Sequence, residues 1–282
     1  MHLILDSVIS ELEKDPSRKF SYVEMKFFST WWDRLPNGNK IAVRELVKEG
    51  RLEFLNAGWS MHDEACTHAD DMMNNMMLGH EFLEREFGVR PRIAWSIDPF
   101  GHSNGNPRLL ADMGFDAWFY ARLDYEDKEQ RLLDKSMNYL WRPMFDSLGA
   151  DVEIFTGAMR DHYCWIPGFW TDEKFDGDDP VVSDETMSTF NADYKTELMY
   201  DYVKEMVEGY QGTHMLVPMG CDFTFENARL NFSSTDNLIE YFNKHTTDMT
   251  LLYSTPSMYL DALKSLELEW PTNYADMFPY AD

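Results

Sequence analysis

Short apolar runs and helical stripes alternate along nearly the whole chain. The runs Phe20–Phe28, Leu52–Trp59, Ile93–Ile97, Ala117–Ala121, Val152–Gly157, His214–Met219 and Thr250–Tyr253 have the length and content of strands. Between them, Leu5, Val8, Ile9 and Leu12 fall on one face of a helix stopped by Asp15-Pro16. Met73, Met76, Met77, His80 and Leu83, and then Met199, Tyr202, Val203 and Met206, repeat at helical spacing, which predicts core-facing stripes. Asn106-Pro107 opens a further helix and Gly114 closes it. Such alternation implies an α/β fold with a parallel sheet and right-handed crossovers. Seven strands in this order favour a closed or nearly closed (β/α)7-type barrel over an open sheet. In that architecture a strand comes first, but this chain starts in a helix, so the barrel is expected to lack its first strand. The aromatic, aperiodic stretch from Trp270 to Asp282 reads as lying against something further on. No linker divides the interior, which predicts one incomplete domain over residues 1–282.

Charge narrows the partners. Fifty acidic residues against 25 basic ones give a net charge of −25, which repels nucleic acid and anionic membrane surfaces alike. No run approaches the ~18 apolar residues of a membrane span, and no signal-peptide pattern opens the chain. Cys66, Cys164 and Cys221 are far apart and odd in number, so they define no disulfide framework and leave the redox compartment open. Asn231-Phe232-Ser233 is a lone glycosylation acceptor pattern of a kind that arises by chance. The long stretch Ala158–Ala192 holds Arg160, His162, Tyr163, Trp165, Phe169 and Trp170 beside Asp176-Gly177-Asp178-Asp179-Pro180, the composition of a lid or substrate wall.

The candidate chemistry sits at strand ends. Ile93–Ile97 runs into Asp98-Pro99-Phe100-Gly101, and Pro cannot continue a central strand, so Asp98 falls at its C-terminal end. Parallel α/β folds gather catalytic groups there. Asp98 is therefore a candidate nucleophile or metal ligand, although an Asp capping the following turn fits the position as well. Asp222 follows the run Met215–Gly220 in the same way. Two acids facing each other across a barrel mouth suit glycoside hydrolysis, in which one carboxylate attacks the sugar carbon and the other protonates the departing oxygen. Trp59, Trp95, Tyr120, Tyr163 and Phe223 lie near strand ends, where flat faces can meet sugar rings, but Trp95, within a strand, is expected in the core. Arg122 closes Ala117–Ala121 and could hold a carboxylate or a sugar hydroxyl, or form a surface ion pair. His62-Asp63-Glu64 and His68 resemble a metal cluster, but their spacing matches no zinc motif. His102 could donate to Asp98 or brace its loop.

The stretch Ala94-Trp95-Ser96-Ile97-Asp98-Pro99-Phe100-Gly101-His102-Ser103 resembles the nucleophile signature of the glycoside hydrolase family 38 α-mannosidases. Leu5-Asp6-Ser7-Val8, Phe28-Ser29-Thr30-Trp31-Trp32, Ala57-Gly58-Trp59-Ser60-Met61 and Asp63-Glu64-Ala65 are similar to that family too. So are Gly220-Cys221-Asp222-Phe223, Tyr253-Ser254-Thr255-Pro256 and Phe278-Pro279-Tyr280-Ala281-Asp282, and the lysosomal type is the nearest. The resemblance implies a seven-stranded β/α barrel and retaining hydrolysis of terminal α-linked mannose through a covalent mannosyl-enzyme. It makes Asp98 the nucleophile and a zinc ligand, Asp222 the general acid/base, and Arg122 and Tyr163 substrate contacts. It implies mannose-containing oligosaccharides or glycoproteins as partners, a lysosomal or secretory-pathway lumen, and a C-terminal half packed on this one. Of the zinc ligands it implies, only Asp98 is expected in this chain, so zinc should bind weakly or not at all. Cys221 stands where the resemblance leads one to expect Ser or Asp. A glycan-binding remnant without hydrolysis is the competing expectation, and a metal-free carbohydrate-active barrel is a third.

Overall fold

The computed structural model describes residues 1–174 and 177–280; Asp176, Ala281 and Asp282, which the motifs above include, lie outside it. The first half runs α1 (His2–Lys14), β1 (Phe20–Tyr22), α2 (Met25–Trp32), α3 (Asn37–Lys48), β2 (Leu52–Phe54), α4 (Ala69–Phe87), β3 (Ile93–Ser96), α5 (Gly105–Asp112) and β4 (Ala117–Tyr120). There follow α6 (Tyr125–Asp134), β5 (Asn138–Trp141), α7 (Phe145–Leu148), β6 (Ile154–Ala158), α8 (Ala192–Gly209), α9 (Ala228–His245), α10 (Pro256–Lys264) and β7 (Thr272–Asn273).

Local chemistry sets several of these boundaries. Asp124 caps α6 by accepting from the backbone N–H groups of Glu126 and Asp127. Thr255 caps α10, with Pro256 in its first turn. The α1 stripe of Ile4, Leu5, Val8, Ile9 and Leu12 is buried, as its spacing predicts. The Met stripe of α4 is offset from expectation: Met72, Met76 and Leu83 are buried, whereas Met73 and Met77 stand 41% and 49% exposed. Met side chains are apolar but flexible, so the pattern alone leaves the buried face uncertain by one position.

The fold is α/β with mainly parallel strands. β1 pairs with β2, and a second sheet has the order β3-β4-β6-β5-β7. β5 is antiparallel to β6, while the other pairs are parallel. The expected closed barrel is not seen among the described residues. His214–Met219 and Thr250–Tyr253 form no strand, and the edge of β6 that a barrel would offer to the first of them is taken by β5. The run Phe20–Phe28 also divides, with Phe20–Tyr22 in β1 and Phe28 inside α2. Between the sheets and the unpaired segments lies a cavity of about 1390 Å³, lined by β1, Trp95, Ile97, Asp98, residues 212–225 and residues 248–254.

Two side-chain joints hold this arrangement. Buried Arg18 donates to Glu11 Oε2 at 2.7 Å and to Asp236 Oδ2 at 2.6 Å, and the Tyr253 hydroxyl donates to Asp236 Oδ1 at 2.7 Å. This set ties α1, α9 and the unpaired segment at Tyr253 together. Asn56, with φ 55°, links the sheets: its N–H donates to Ile93 O at 2.7 Å, and its Oδ1 accepts from Trp95 N at 3.4 Å. Asn tolerates this left-handed backbone better than most residues. Helix α4 lies against the same turn, where His80 Nε2 donates to Asn56 O at 2.9 Å. The tail anchors on the structure itself: β7 joins β5, and Met277 bridges His102 through two backbone hydrogen bonds. Asn231 is buried in α9, with Nδ2 donating to Thr171 O, and so offers no glycan acceptor.

A Cβ on Gly79 would lie 1.8 Å from Ala57 O. Gly79→Ala is therefore expected to cost about 1–3 kcal/mol of stability, in the range of other overpacking substitutions; an unchanged urea midpoint would exclude that close contact. Burial lowers the His80 pKa from 6.5, and Arg90 adds to the shift against the opposing bond to Asn56. The unfolded chain then takes up a proton that the folded chain resists, so stability falls as pH drops from about 6.5 toward the folded value. His80→Gln is expected to flatten that part of the stability–pH curve measured by denaturant titration.

Candidate active site

Parallel register brings Asp98 beside Arg122. Ser96 of β3 pairs with Tyr120 of β4, and Asp98 and Arg122 each lie two positions beyond their strand's paired end. Arg122 donates to Asp98 Oδ1 through Nη2 at 2.9 Å and Nε at 3.3 Å. Its guanidinium carbon lies 4.5 Å from the Phe100 ring centroid. The Asp98 side chain is 58% exposed, so the pair adds no more than about 1 kcal/mol of stability. Its value is orientation, since the fork fixes one face of the carboxylate and leaves the other toward the cavity. Burial alone would lower the Arg122 pKa, but hydrogen bonds to Tyr280 and Asp98 outweigh it and hold the group charged.

Asp222 meets this pair through Tyr163. The Tyr163 hydroxyl donates to Asp222 Oδ2 at 3.1 Å, and the Arg122 guanidinium lies 5.9 Å from the Tyr163 ring centroid. Burial pushes the Tyr163 phenol up to about 12, with the Asp222 and Asp98 charges adding to it. Tyr163 thus stays a hydrogen-bond donor at any ordinary pH. Asp98, Tyr163 and Asp222 line the same cavity, together with Trp95, Phe100 and Phe223. Trp95 therefore belongs to the cavity wall as well as to the core, a correction to the expectation of core packing alone. Tyr120, by contrast, is wholly buried and bonded to the Tyr139 hydroxyl at 2.8 Å.

The loop holding Asp222 is shaped by its own polar atoms. Thr224 Oγ1 accepts from Cys221 N at 3.1 Å, and Asp172 Oδ2 accepts from Phe225 N at 2.9 Å. Cys221 is disulfide-bonded to Cys164, 57 residues away in sequence, and Cys66 is free and exposed. The cysteine count had suggested no framework. An odd number leaves one thiol over, however, and cannot tell whether the fold brings the other two together. Much of the aromatic stretch after β6 is packed: Trp165, Ile166 and Phe169 are buried, and Tyr163 forms cavity wall.

His102 braces loops and does not contact Asp98. Its Nδ1 meets Glu64 Oε1 at 2.7 Å, and its Nε2 donates to Arg122 O at 3.1 Å. Glu64 Oε2 also accepts from Ser103 N at 2.8 Å. Both side chains of the pair are fully buried. The carbonyl can only accept, so Nε2 carries a hydrogen and the Nδ1–Glu64 contact shares one more proton. Sequence alone placed Glu64 in a loose metal cluster; its buried partner is the part that sequence could not give. A second glycine requirement follows at the same loop, where Gly101 has φ +102° and a Cβ would meet the Phe278 ring at 2.3 Å.

The metal expectation finds no support in the donor set. No group of three or more His, Cys, Asp or Glu side chains placed to hold a metal ion exists among the described residues. His62 Nε2 contacts Asn106 Oδ1 at 3.0 Å, Glu64 serves His102, and His68 is exposed at the start of α4. Asp98 turns one oxygen to a guanidinium, which repels a cation. These residues do not fit a zinc ion.

The glycosyl hydrolases family 38 N-terminal domain model matches residues 1–282. The chain belongs to that family. It is 41% identical over 280 residues to the lysosomal alpha-mannosidase of Dictyostelium discoideum, with 99% of this chain and 27% of that protein covered. It is also 41% identical over 290 residues to the lysosomal alpha-mannosidase of Homo sapiens, covering 99% of this chain and 28% of that protein. The family 38 chain thus spans little more than a quarter of the length of these curated relatives. The fold is shared with the crystal structure of an alpha-mannosidase from Enterococcus faecalis V583, at a TM-score of 0.72 and 17% identity over 99% of this chain and 28% of that one.

Glu64→Ala would leave the buried imidazole Nδ1 without its partner, and an unsatisfied buried polar group typically costs about 1–3 kcal/mol. The expected result is a large drop in urea midpoint, with a smaller one for Glu64→Gln. Equal midpoints for Glu64→Ala and the parent chain would refute the bracing role.

Proposed function

We propose that this chain supplies the catalytic carboxylates of an α-mannosidase that removes terminal α-linked mannose from glycans with retention of configuration. The observation that carries it is that Asp98 and Asp222 line one cavity and are joined through Arg122 and Tyr163. The family and the names of its relatives give the chemistry, and the pair of acids gives the means. Asp98, steadied by Arg122, attacks the anomeric carbon while Asp222 passes a proton to the departing glycosidic oxygen. Asp222 then takes a proton from water, which displaces the sugar from Asp98. Tyr163 orients the Asp222 carboxyl by donating to Oδ2. Trp95, Phe100 and Phe223 offer flat faces to sugar rings.

The same reading takes residues 1–282 as one catalytic domain, with the two sheets as arcs of a seven-stranded barrel around the cavity. Mannose-bearing oligosaccharides or glycoproteins are its partners, and further sequence of the kind the relatives carry packs on it. A lysosomal or secretory lumen follows from the relatives' names, and the Cys164–Cys221 bond supports it, because disulfides persist in oxidising compartments. A second reading is a glycan-binding domain of the same fold without hydrolysis, which the cavity and its aromatic wall fit as well.

Hydrolysis of an aryl α-mannoside by the purified protein separates them. The mannosidase reading expects a burst of leaving group that Asp98→Asn abolishes. Asp222→Asn should cost about 10²–10⁴-fold in kcat/KM on an unactivated disaccharide, the usual worth of acid assistance, and far less on the activated aryl substrate. Mannoside binding without turnover by folded protein would favour the binding domain.

A further inference from the structure

We propose that the Cys164–Cys221 disulfide is a positioning element for Asp222, so that the acid half of the site is assembled only while that bond is closed. The inference rests on the mannosidase reading and adds a covalent control to one of its two carboxyl groups. The bond joins the immediate neighbours of Tyr163 and Asp222, which are themselves hydrogen-bonded at 3.1 Å. A covalent and a polar link therefore run side by side between the exit of β6 and the loop holding Asp222.

On its strand side the loop follows a run held by side-chain packing of Met215, Leu216, Val217 and Met219 and not by a backbone ladder. Among the described residues, no backbone–backbone hydrogen bond joins residues 213–220 to either sheet. On its other side the loop is fixed, through Thr224 on Cys221 and through Asp172 on the Phe225 N–H. Asp222 thus lies between a firm turn and an unpaired run, with its side chain exposed toward the cavity. The two cysteines are half-buried against Ala121, Met159 and Tyr163, a small apolar cluster, and Cys221 also lines the cavity. Asp98 touches this cluster through Arg122 and Ile97, but β3, Arg122 and the Glu64–His102 pair hold its loop without the disulfide.

A low-molecular-weight monothiol opens the bond in two steps. Its thiolate attacks one cysteine sulfur, the Cys164–Cys221 bond breaks, and a mixed disulfide forms. A second monothiol displaces the first, leaving two cysteine thiols and one oxidised thiol dimer, with two electrons and two protons passed to the protein. The Tyr163–Asp222 hydrogen bond then remains alone across the gap.

The test uses the whole protein carrying Cys66→Ser, which removes the exposed free thiol, and compares it oxidised, reduced by monothiol, and with Cys164→Ser and Cys221→Ser together. Acid assistance matters little for an activated leaving group, so kcat/KM is measured for an aryl α-mannoside and for an unactivated mannobiose. Reduction is expected to lower the disaccharide value by about tenfold or more, with the 10²–10⁴-fold worth of acid catalysis as the ceiling, and the aryl value by less than about twofold. Reoxidation with the thiol dimer should restore both, and hydrogen exchange at the hydrogen-bonded amides of Cys221, Thr224 and Phe225 should rise in the reduced form and in the double serine variant but not in the oxidised form. Equal losses on both substrates, or no loss on either, overturn the proposal. If the oxidised protein hydrolyses neither substrate, the mannosidase reading has failed, and exchange alone decides: faster exchange on reduction upholds the strut, and unchanged exchange overturns it.

Discussion

The site hangs on a buried carboxylate–imidazole contact. Glu64 follows β2, His102 follows β3, and the carbonyl that His102 reaches belongs to Arg122, just beyond β4. One pair of side chains therefore gathers the segments that follow β2, β3 and β4. A polar pair this deep is costly when half-satisfied, and here every ring nitrogen and both carboxylate oxygens have partners. That completeness fixes the loop from Asp98 to Ser103. It also lets Arg122 meet Asp98 at hydrogen-bonding distance although the carboxylate itself is largely in solvent.

The two carboxylates are held by different physics. Asp98 follows a fully paired strand and inherits its position from the backbone ladder between β3 and β4. Asp222 follows an extended run without such a ladder, and its position comes from side chains: Tyr163, Thr224, Asp172 and the disulfide. Backbone pairing is cooperative and hard to lose locally. Side-chain anchoring is built from separate contacts and is sensitive to each one. The general acid/base half of the proposed reaction is therefore the half open to adjustment.

The cavity has the same origin. β5 lies antiparallel along β6 and occupies the edge where a regular β/α alternation would place His214–Met219. The displaced segment stays extended and half-buried beside Thr250–Tyr253, and Arg18, Asp236 and Tyr253 keep that second segment in place. Open space results where a barrel would have its wall. Aromatic faces and two acids border that space, along with many aliphatic side chains.

Hydropathy along the chain was enough to predict the α/β class, the α1 stripe, β2, β3, β4 and the approximate place of β6, because local periodicity reports burial directly. The Asp-Pro-Phe-Gly break after β3 marked Asp98, since a proline ends a central strand whatever surrounds it. Asp222, Arg122 and Tyr163 were legible as candidates, and it took the fold to join them around one cavity. Tertiary structure alone decided the rest. β5, although as long as β3 and β4, and β7, which has only two residues, are both missing from the predicted strands, and a sheet's order depends on which edges meet. Cys164 and Cys221 lie 57 residues apart, so their bond is a fact of distance in space. Glu64 read as a loose acid beside two histidines until packing buried it against His102. Sequence records what each residue prefers, whereas pairing, burial and the choice of partner arise only when distant segments compete for the same place.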